Sequence, residues 1–160
     1  PELDISGFLN ACALVIMEHC GGASGPTWGS AFRAAARRTA GKETLSVQDF
    51  ADMMQAVVGG IQDVGRRSFG RGAVVGDKTL IDALVPCADA WLVAAEAGYP
   101  FPDCFRKGAN AAVLGAKQTE NIVARMGRAG TVGKRSLGHP DAGAHALGVV
   151  FTAVADAMEV

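Results

Sequence analysis

The sequence has no surplus of charge of either sign. Fifteen Lys and Arg stand against sixteen Asp and Glu, a net charge of −1. No basic field is therefore present to hold a nucleic-acid backbone. Long apolar runs are also missing: none reaches the roughly 18 residues of a membrane helix, and no signal peptide is visible. The four cysteines, Cys12, Cys20, Cys87 and Cys104, form no Cys-x-x-Cys pair. Zinc-ligand spacing is thus absent, and they read as buried thiols of a reducing, cytoplasmic compartment. No segment alternates apolar and polar residues, so no strand is expected. No GxxxxGK[ST] run follows a strand, which excludes a P-loop.

What is present is helical periodicity over 160 residues that are 49% hydrophobic and 19% charged. That length fits one domain, which buries roughly 68–70% of its unfolded surface and needs no staples. Ile5, Phe8, Cys12, Val15 and His19 form a first stripe, with Leu9 and Ile16 beside it; His19 there reads as a core histidine. An alanine-rich helix is expected over about 27–40. Val47, Phe50, Met54, Val57, Ile61 and Val64 form the next stripe, started by a Ser46/Asp49 capping box. A helix over about 78–97 points Leu80, Leu84, Cys87, Trp91 and Ala95 inward and Asp82, Asp89 and Glu96 outward. Pro86 should kink it. Another over about 102–126 has Phe105, Ala109, Ala112, Ala116, Thr119, Val123 and Met126 inward. The last, over about 142–158, has Leu147, Val150, Phe151, Val154 and Met158. Gly59, Gly108, Gly115 and Gly148 on inward faces imply close helix approach. The expectation is an all-α, tightly packed antiparallel assembly of about six helices. Arg37-Arg38 and Arg66-Arg67 read as solvated helix ends.

Three glycine-rich links carry more chemistry than connectors need. Gly21-Gly22-Ala23-Ser24-Gly25-Pro26 can end one helix and open the next, where a hydroxyl and free amides suit a phosphate. In Gly76-Asp77-Lys78-Thr79, Asp77 can cap a helix, but Lys78 in a first turn is electrostatically unfavourable. A bound polyphosphate would reverse that sign. In the stretch from Gly133 to Ala144, Asp141 can cap the last helix, and His139 is either a titrating group or a turn residue. Arg128 offers a planar fork to a phosphate. The three links are expected to meet at one end of the helix assembly.

Taken in order, Gly21–Pro26, Gly76–Thr79, Gly127-Arg128-Ala129 and Arg135–Ala144 resemble the L subunit of dihydroxyacetone kinases, or the matching C-terminal domain of single-chain versions. The resemblance spans essentially the whole chain. It implies an antiparallel barrel of eight amphipathic helices, about six of them here, with residues 1–160 as one nucleotide-binding domain. It implies ATP or ADP, with Ala23 and Ser24 at the phosphates and Leu80, Arg128, Asp141 and Gly143 around the nucleotide. Gly72, or its neighbour Gly70, is assigned there too. Gly130-Thr131 replaces the family's Ser-Tyr, which removes a hydroxyl.

The family also carries an upstream Gly-Asp-x-Asp-His-Gly segment whose carboxylates hold Mg²⁺. No Asp-x-Asp occurs here, and Asp49, Asp52, Asp82 and Asp89 read as solvated faces or caps. The chain opens on Pro1 and not on Met. It is therefore expected to be N-terminally incomplete, with no metal ligand or catalytic residue of its own and no turnover as an isolated fragment. The implied partner is a dihydroxyacetone-binding K subunit or domain. A phosphocarrier of the sugar phosphotransferase system and a homodimer are further partners the family admits; a nucleic acid or a membrane is not expected. The implied activity is kinase chemistry on a short ketose. The alternative is a non-catalytic helical binding or regulatory domain that lost its metal site.

Overall fold

Helix-forming segments separated by glycine-rich links give six α-helices and no strand among the described residues. The computed structural model describes residues 4–159. Its contacts gather into two compact units, up to Gly72 and from Ala73 onward.

In the first unit, α1 (Ile5–His19) packs on α2 (Ser24–Arg38), and α2 on α3 (Val47–Phe69). Asp4 caps α1 through Oδ1, which accepts from the Gly7 amide at 2.6 Å. The capping box expected at α3 is present. The Asp49 amide donates to Ser46 Oγ at 3.0 Å, and the Ser46 amide to Asp49 Oδ2 at 3.1 Å. Lys42 Nζ lies 2.8 Å from Asp49 Oδ1. Lys42, with the Ser46 amide and hydroxyl, lowers the Asp49 carboxyl to about 2. Gly70 closes α3 in the left-handed region, at φ +78°, where glycine carries no Cβ penalty.

The neighbouring helices run antiparallel: Ser6 Oγ donates to Ala36 O at 2.9 Å, and Arg38 meets Asp52 at 2.6 Å. Here α1 departs from the expected stripe. Phe8, Val15 and His19 are exposed, as are Leu14 and Met17. His19 is no core histidine; its side chain is 69% exposed and lies 3.9 Å from Glu18. The inward line is Ser6, Leu9, Ala13 and Ile16, one position on. The helix is apolar on nearly every side, so periodicity cannot choose which side packs. Small residues decide it, because Ala13 and Gly29 let the axes approach. A similar one-residue shift moves the close approach in α3 from Gly59, which faces open space, to Gly60. A Cβ on Gly60 would lie 2.8 Å from Ser30 O and 2.8 Å from Ala34 Cβ.

In the second unit, α4 (Ile81–Glu96) packs on α5 (Phe101–Gln118), and α5 on α6 (Ala142–Met158). Trp91, 1% exposed, anchors the core. Its ring centroid is 5.1 Å from that of Phe105 and 5.2 Å, edge-on, from that of Phe151. Its Nε1–H donates to Phe105 O at 3.3 Å. Arg106 ties α5 to the end of α6 through Asp156 at 2.7 Å and Glu159 at 2.8 Å.

Several expectations change in this unit. The helix starting at Phe101 stops at Gln118, not at Met126. It gives way to a 3₁₀ turn, Thr119–Asn121, and then to extended backbone at Ile122. The Thr119 hydroxyl donates to Ala116 O at 2.5 Å and accepts the Asp141 amide, tying the helix end to the α6 start. In α6 the buried side is Ala144, Leu147, Gly148 and Ala155, whereas Val150 and Val154 are exposed.

Helix α4 continues through Pro86. Pro86 has no N–H for the Asp82 carbonyl, and that oxygen points at Gly115. A Cβ on Gly115 would sit closer than 3.0 Å to it, a separation real Cβ atoms do not show. Gly115→Ala gains about 1 kcal/mol of helix propensity. The clash is with backbone that has no room to yield, and overpacking costs roughly 1–3 kcal/mol. Net destabilisation is expected, read as a lower urea midpoint at unchanged slope; a variant as stable as the parent would show that the carbonyl moves freely.

Candidate functional site

The expected site residues fall in both units. In the first, Gly22 turns the chain with φ +63°, and Ala23 is the N-cap of α2 with no side-chain capping bond. Ser24 is the first residue of α2, and both are exposed. The next position must be a glycine, because a Cβ on Gly25 would lie 2.5 Å from Cys20 O. The opening amides of α2 therefore carry no side-chain acceptor, the condition under which a helix start favours an anion. Gly72 packs on α3, since a Cβ there would lie 3.1 Å from Gln62 Cβ and 3.1 Å from Gln62 O.

In the second unit, three of the four expected residues are together. Leu80 is the N-cap of α4 and Asp141 the N-cap of α6. Gly143 fills the space between them: a Cβ there would lie 3.1 Å from Leu80 Cβ and 3.2 Å from Asp141 Oδ2. Asp141 Oδ2 accepts the Ala144 amide at 2.8 Å, and the Asp141 amide donates to Thr119 Oγ1 at 2.8 Å. Arg128 starts a separate 3₁₀ turn, Arg128–Thr131, and is exposed. Its carbonyl accepts the Thr131 hydroxyl at 2.7 Å.

The Gly76–Thr79 link behaves differently from its sequence reading. Asp77 does not cap α4. Its Oδ2 accepts the Val74 amide at 2.9 Å, and its carbonyl accepts the Arg125 amide at 3.0 Å. The capping carboxylate is Asp82, whose Oδ2 accepts the Thr79 amide at 2.7 Å and whose Oδ1 accepts the Gly76 amide at 2.6 Å. Asp82 is 2% exposed, not a solvated face. Because α4 then starts at Ile81, Lys78 lies outside its first turn, in the left-handed region at φ +61°. Lys78 is 4% exposed. Its ammonium donates to the carbonyls of His139 at 2.7 Å, Ile122 at 3.2 Å and Ser136. It faces loop carbonyls, so the mismatch that suggested a polyphosphate beside it is resolved within the chain.

Sequence reasoning missed Lys78, Asp82, Thr119 and Ser136 as the frame of this region. Ser136 Oγ accepts the Ala124 amide at 3.0 Å and donates to Gly133 O at 2.7 Å. One signal was legible: Thr79-x-x-Asp82 before an apolar run is a capping pattern.

Burial pushes the Asp141 carboxyl above its ordinary range, and the Asp82 charge adds to this. The Ala144 and Gly143 amides and the Lys78 ammonium pull the other way. The native state thus binds this proton more tightly than the unfolded chain. The associated stability is complete below the unfolded value of 3.8 and is lost as pH rises through the raised one. Asp141→Asn keeps a capping oxygen and removes the titration. From about pH 4 to 7 the variant is expected to lose less stability than the parent. Parallel stability curves would show that Asp141 does not titrate in this way.

No group of three or more His, Cys, Asp or Glu among the described residues could hold a metal ion. Asp82 and Asp141 both give oxygens to backbone amides. The residues described here therefore do not fit a Mg²⁺ site. Cys87 and Cys104 are buried, with thiols pushed up by desolvation, while Cys12 is half-buried and Cys20 exposed. No helix among the described residues is long and apolar enough to cross a membrane.

These features define an all-helical chain, over the described residues, whose links place capped and uncapped helix starts beside glycines. Residues 1–156 match the family model described as the DAK2 domain, and the chain belongs to that family. It is 31% identical over 143 residues to the ADP-binding subunit DhaL of the PEP-dependent dihydroxyacetone kinase of Escherichia coli (strain K12), covering 89% of this chain and 65% of that protein. It is 31% identical over 137 residues to the L-erythrulose kinase of Pectobacterium atrosepticum, covering 86% of this chain and 22% of that one. The triokinase/FMN cyclase of Mus musculus is 28% identical over 151 residues, covering 94% of this chain and 25% of that one. The chain thus spans just under two thirds of the first relative and about a quarter of the other two.

Proposed function

We propose that this chain is the nucleotide-binding part of a dihydroxyacetone-type kinase. ATP or ADP is its ligand. In the first unit Ala23 and Ser24 serve the phosphates, with Gly72 assigned to the nucleotide as well. In the second, Leu80, Arg128, Asp141 and Gly143 serve the nucleotide. The observation that carries the reading furthest is the packing of Leu80, Asp141 and Gly143 at the start of α6, in a chain that belongs to the DAK2 family.

The chemistry is positioning and charge neutralisation. Exposed amides at the start of α2 favour phosphate oxygens, and a guanidinium adds a charge-assisted contact. The phosphoryl acceptor is a primary hydroxyl of a short ketose held on a K subunit or domain, so this chain contributes no covalent step. The described residues offer no carboxylate cluster for Mg²⁺, and the chain by itself is expected to be silent as a kinase. The names of the relatives support both the ADP reading and the class of acceptor.

Arg128→Ala is expected to weaken ADP binding about ten- to a hundredfold, the equivalent of losing a charge-assisted hydrogen bond of roughly 1.5–3 kcal/mol. Lys107→Ala, which removes an exposed charge beside Tyr99 on α5, is expected to leave the affinity within about twofold. Calorimetric titration of both variants with ADP and MgCl₂ checks this. Equal affinities for the parent and Arg128→Ala would remove Arg128 from the site.

A further inference from the structure

A concentration of positive charge lies in the first unit, away from the opening of α2. Ser30, Arg33 and Arg37 of α2 and Gly60, Asp63 and Arg67 of α3 line a small cavity of about 140 Å³. On each helix the three positions follow an i, i+3, i+7 pattern, which places them on one face. Gly60 lets the two faces close up, because it packs without a side chain against Ser30 O and Ala34.

The charges in this cavity are unbalanced. Asp63, its one carboxylate, is engaged by Arg66. No hydrogen bond or ion pair to a described residue is found for the guanidinium groups of Arg33, Arg37 and Arg67. Nearby arginines that serve the fold do find partners: Arg38 has Asp52, and Arg66 has Asp63. All three arginines are exposed, so solvent screens their mutual repulsion, and an anion seated among them turns that repulsion into attraction. Guanidinium forks match tetrahedral oxyanions through paired N–H donors, and the Ser30 hydroxyl adds another donor.

Size selects the ligand class. Cofactor and drug-sized pockets run about 300–1,000 Å³; this one holds a single phosphate-sized group and not a nucleotide. Arg33 also lies nine residues beyond Ser24, roughly 13 Å along the helix. We propose that this cavity is an oxyanion site, separate from the proposed nucleotide site, that takes inorganic phosphate or the phosphate of a small phosphomonoester.

The test is a titration of the full 160-residue chain with sodium phosphate at fixed ionic strength. The readouts are ³¹P line broadening and the thermal midpoint. A triple variant, R33Q/R37Q/R67Q, is compared with a charge-matched control, K107Q/K117Q/R125Q, and circular dichroism confirms that both fold. Phosphate is expected to raise the midpoint of the parent and the control above that seen with chloride, and to bind the triple variant at least tenfold more weakly. ADP affinity, measured on the same three proteins, is expected to be unchanged in the triple variant. Glycerol phosphate as a second titrant separates the sources: equal affinity assigns the site to the free ion, tighter binding to a monoester. The proposal is overturned if phosphate acts no differently from chloride on the parent. It is overturned equally if the triple variant and the control respond alike, or if ADP affinity falls together with phosphate affinity. Failure of ADP to bind any of the proteins counts against the nucleotide reading alone.

Discussion

Lys78→Met is expected to destabilise the protein by about 3–5 kcal/mol, because one substitution leaves several carbonyls without their charged donor. The ammonium of Lys78 is the common donor to carbonyls of Ile122, Ser136 and His139. Methionine has similar length but leaves these acceptors without their shared donor, and each unmet buried acceptor costs about 1–3 kcal/mol. It also removes the cation beside the Asp141 carboxylate. Backbone strain adds a contrast: Lys78 sits at φ +61°, which is unfavourable by roughly 1–2 kcal/mol for a residue with a Cβ. Lys78→Gly relieves that strain, so it should be less destabilising than Lys78→Met by about that amount while still falling well below the parent. Urea unfolding of the three proteins measures the order, and hydrogen exchange of the Ala124 and Gly138 amides reports the loop directly. If Lys78→Met matches the parent in stability and exchange, the ammonium does not hold the loop together.

Trp91→Ala is expected to cost about 3–5 kcal/mol, the upper range for a large-to-small core substitution. The indole is 1% exposed and sits between Phe105 and Phe151, so α4, α5 and α6 all contact the vacated volume. Part of the cost is the Phe105 carbonyl, which loses the Nε1–H at 3.3 Å. Trp91→Phe keeps an aromatic ring but drops that donor, and its cost should lie between the two. Gly108 explains why no larger residue stands opposite, since any Cβ there would overlap the indole. A Trp91→Ala protein unfolding within about 1 kcal/mol of the parent would mean that the three helices close over the gap.

Much of this was legible because the information is local. The Ser46/Asp49 capping box, the Asp141 cap and the order of six helices follow from neighbouring residues, and each appears as read. The expectation that Leu80, Asp141 and Gly143 belong together came from a family resemblance; their mutual packing is a structural observation. The α1 stripe failed because a helix apolar all round leaves the packing face undetermined. The end of α5 also failed, because apolar spacing continues past Gln118 while the backbone does not. Asp82 was misplaced because it keeps the seven-residue spacing of the exposed Asp89 and Glu96, and only its backbone partners separate it from them.

By itself the sequence determined the helical class, the caps of α3 and α6 and the family, since these depend on periodicity, on residues three or four apart and on ordered motifs. Only the tertiary structure decided which face of α1 is buried, that Gly60 and not Gly59 marks the close approach, and that Lys78 turns inward to three carbonyls. It alone assembled Arg33, Arg37 and Arg67 around one cavity. The physical reason is common to these cases. A side chain's role depends on what approaches it across space, and Lys78 meets its acceptors 44 to 61 residues away along the chain.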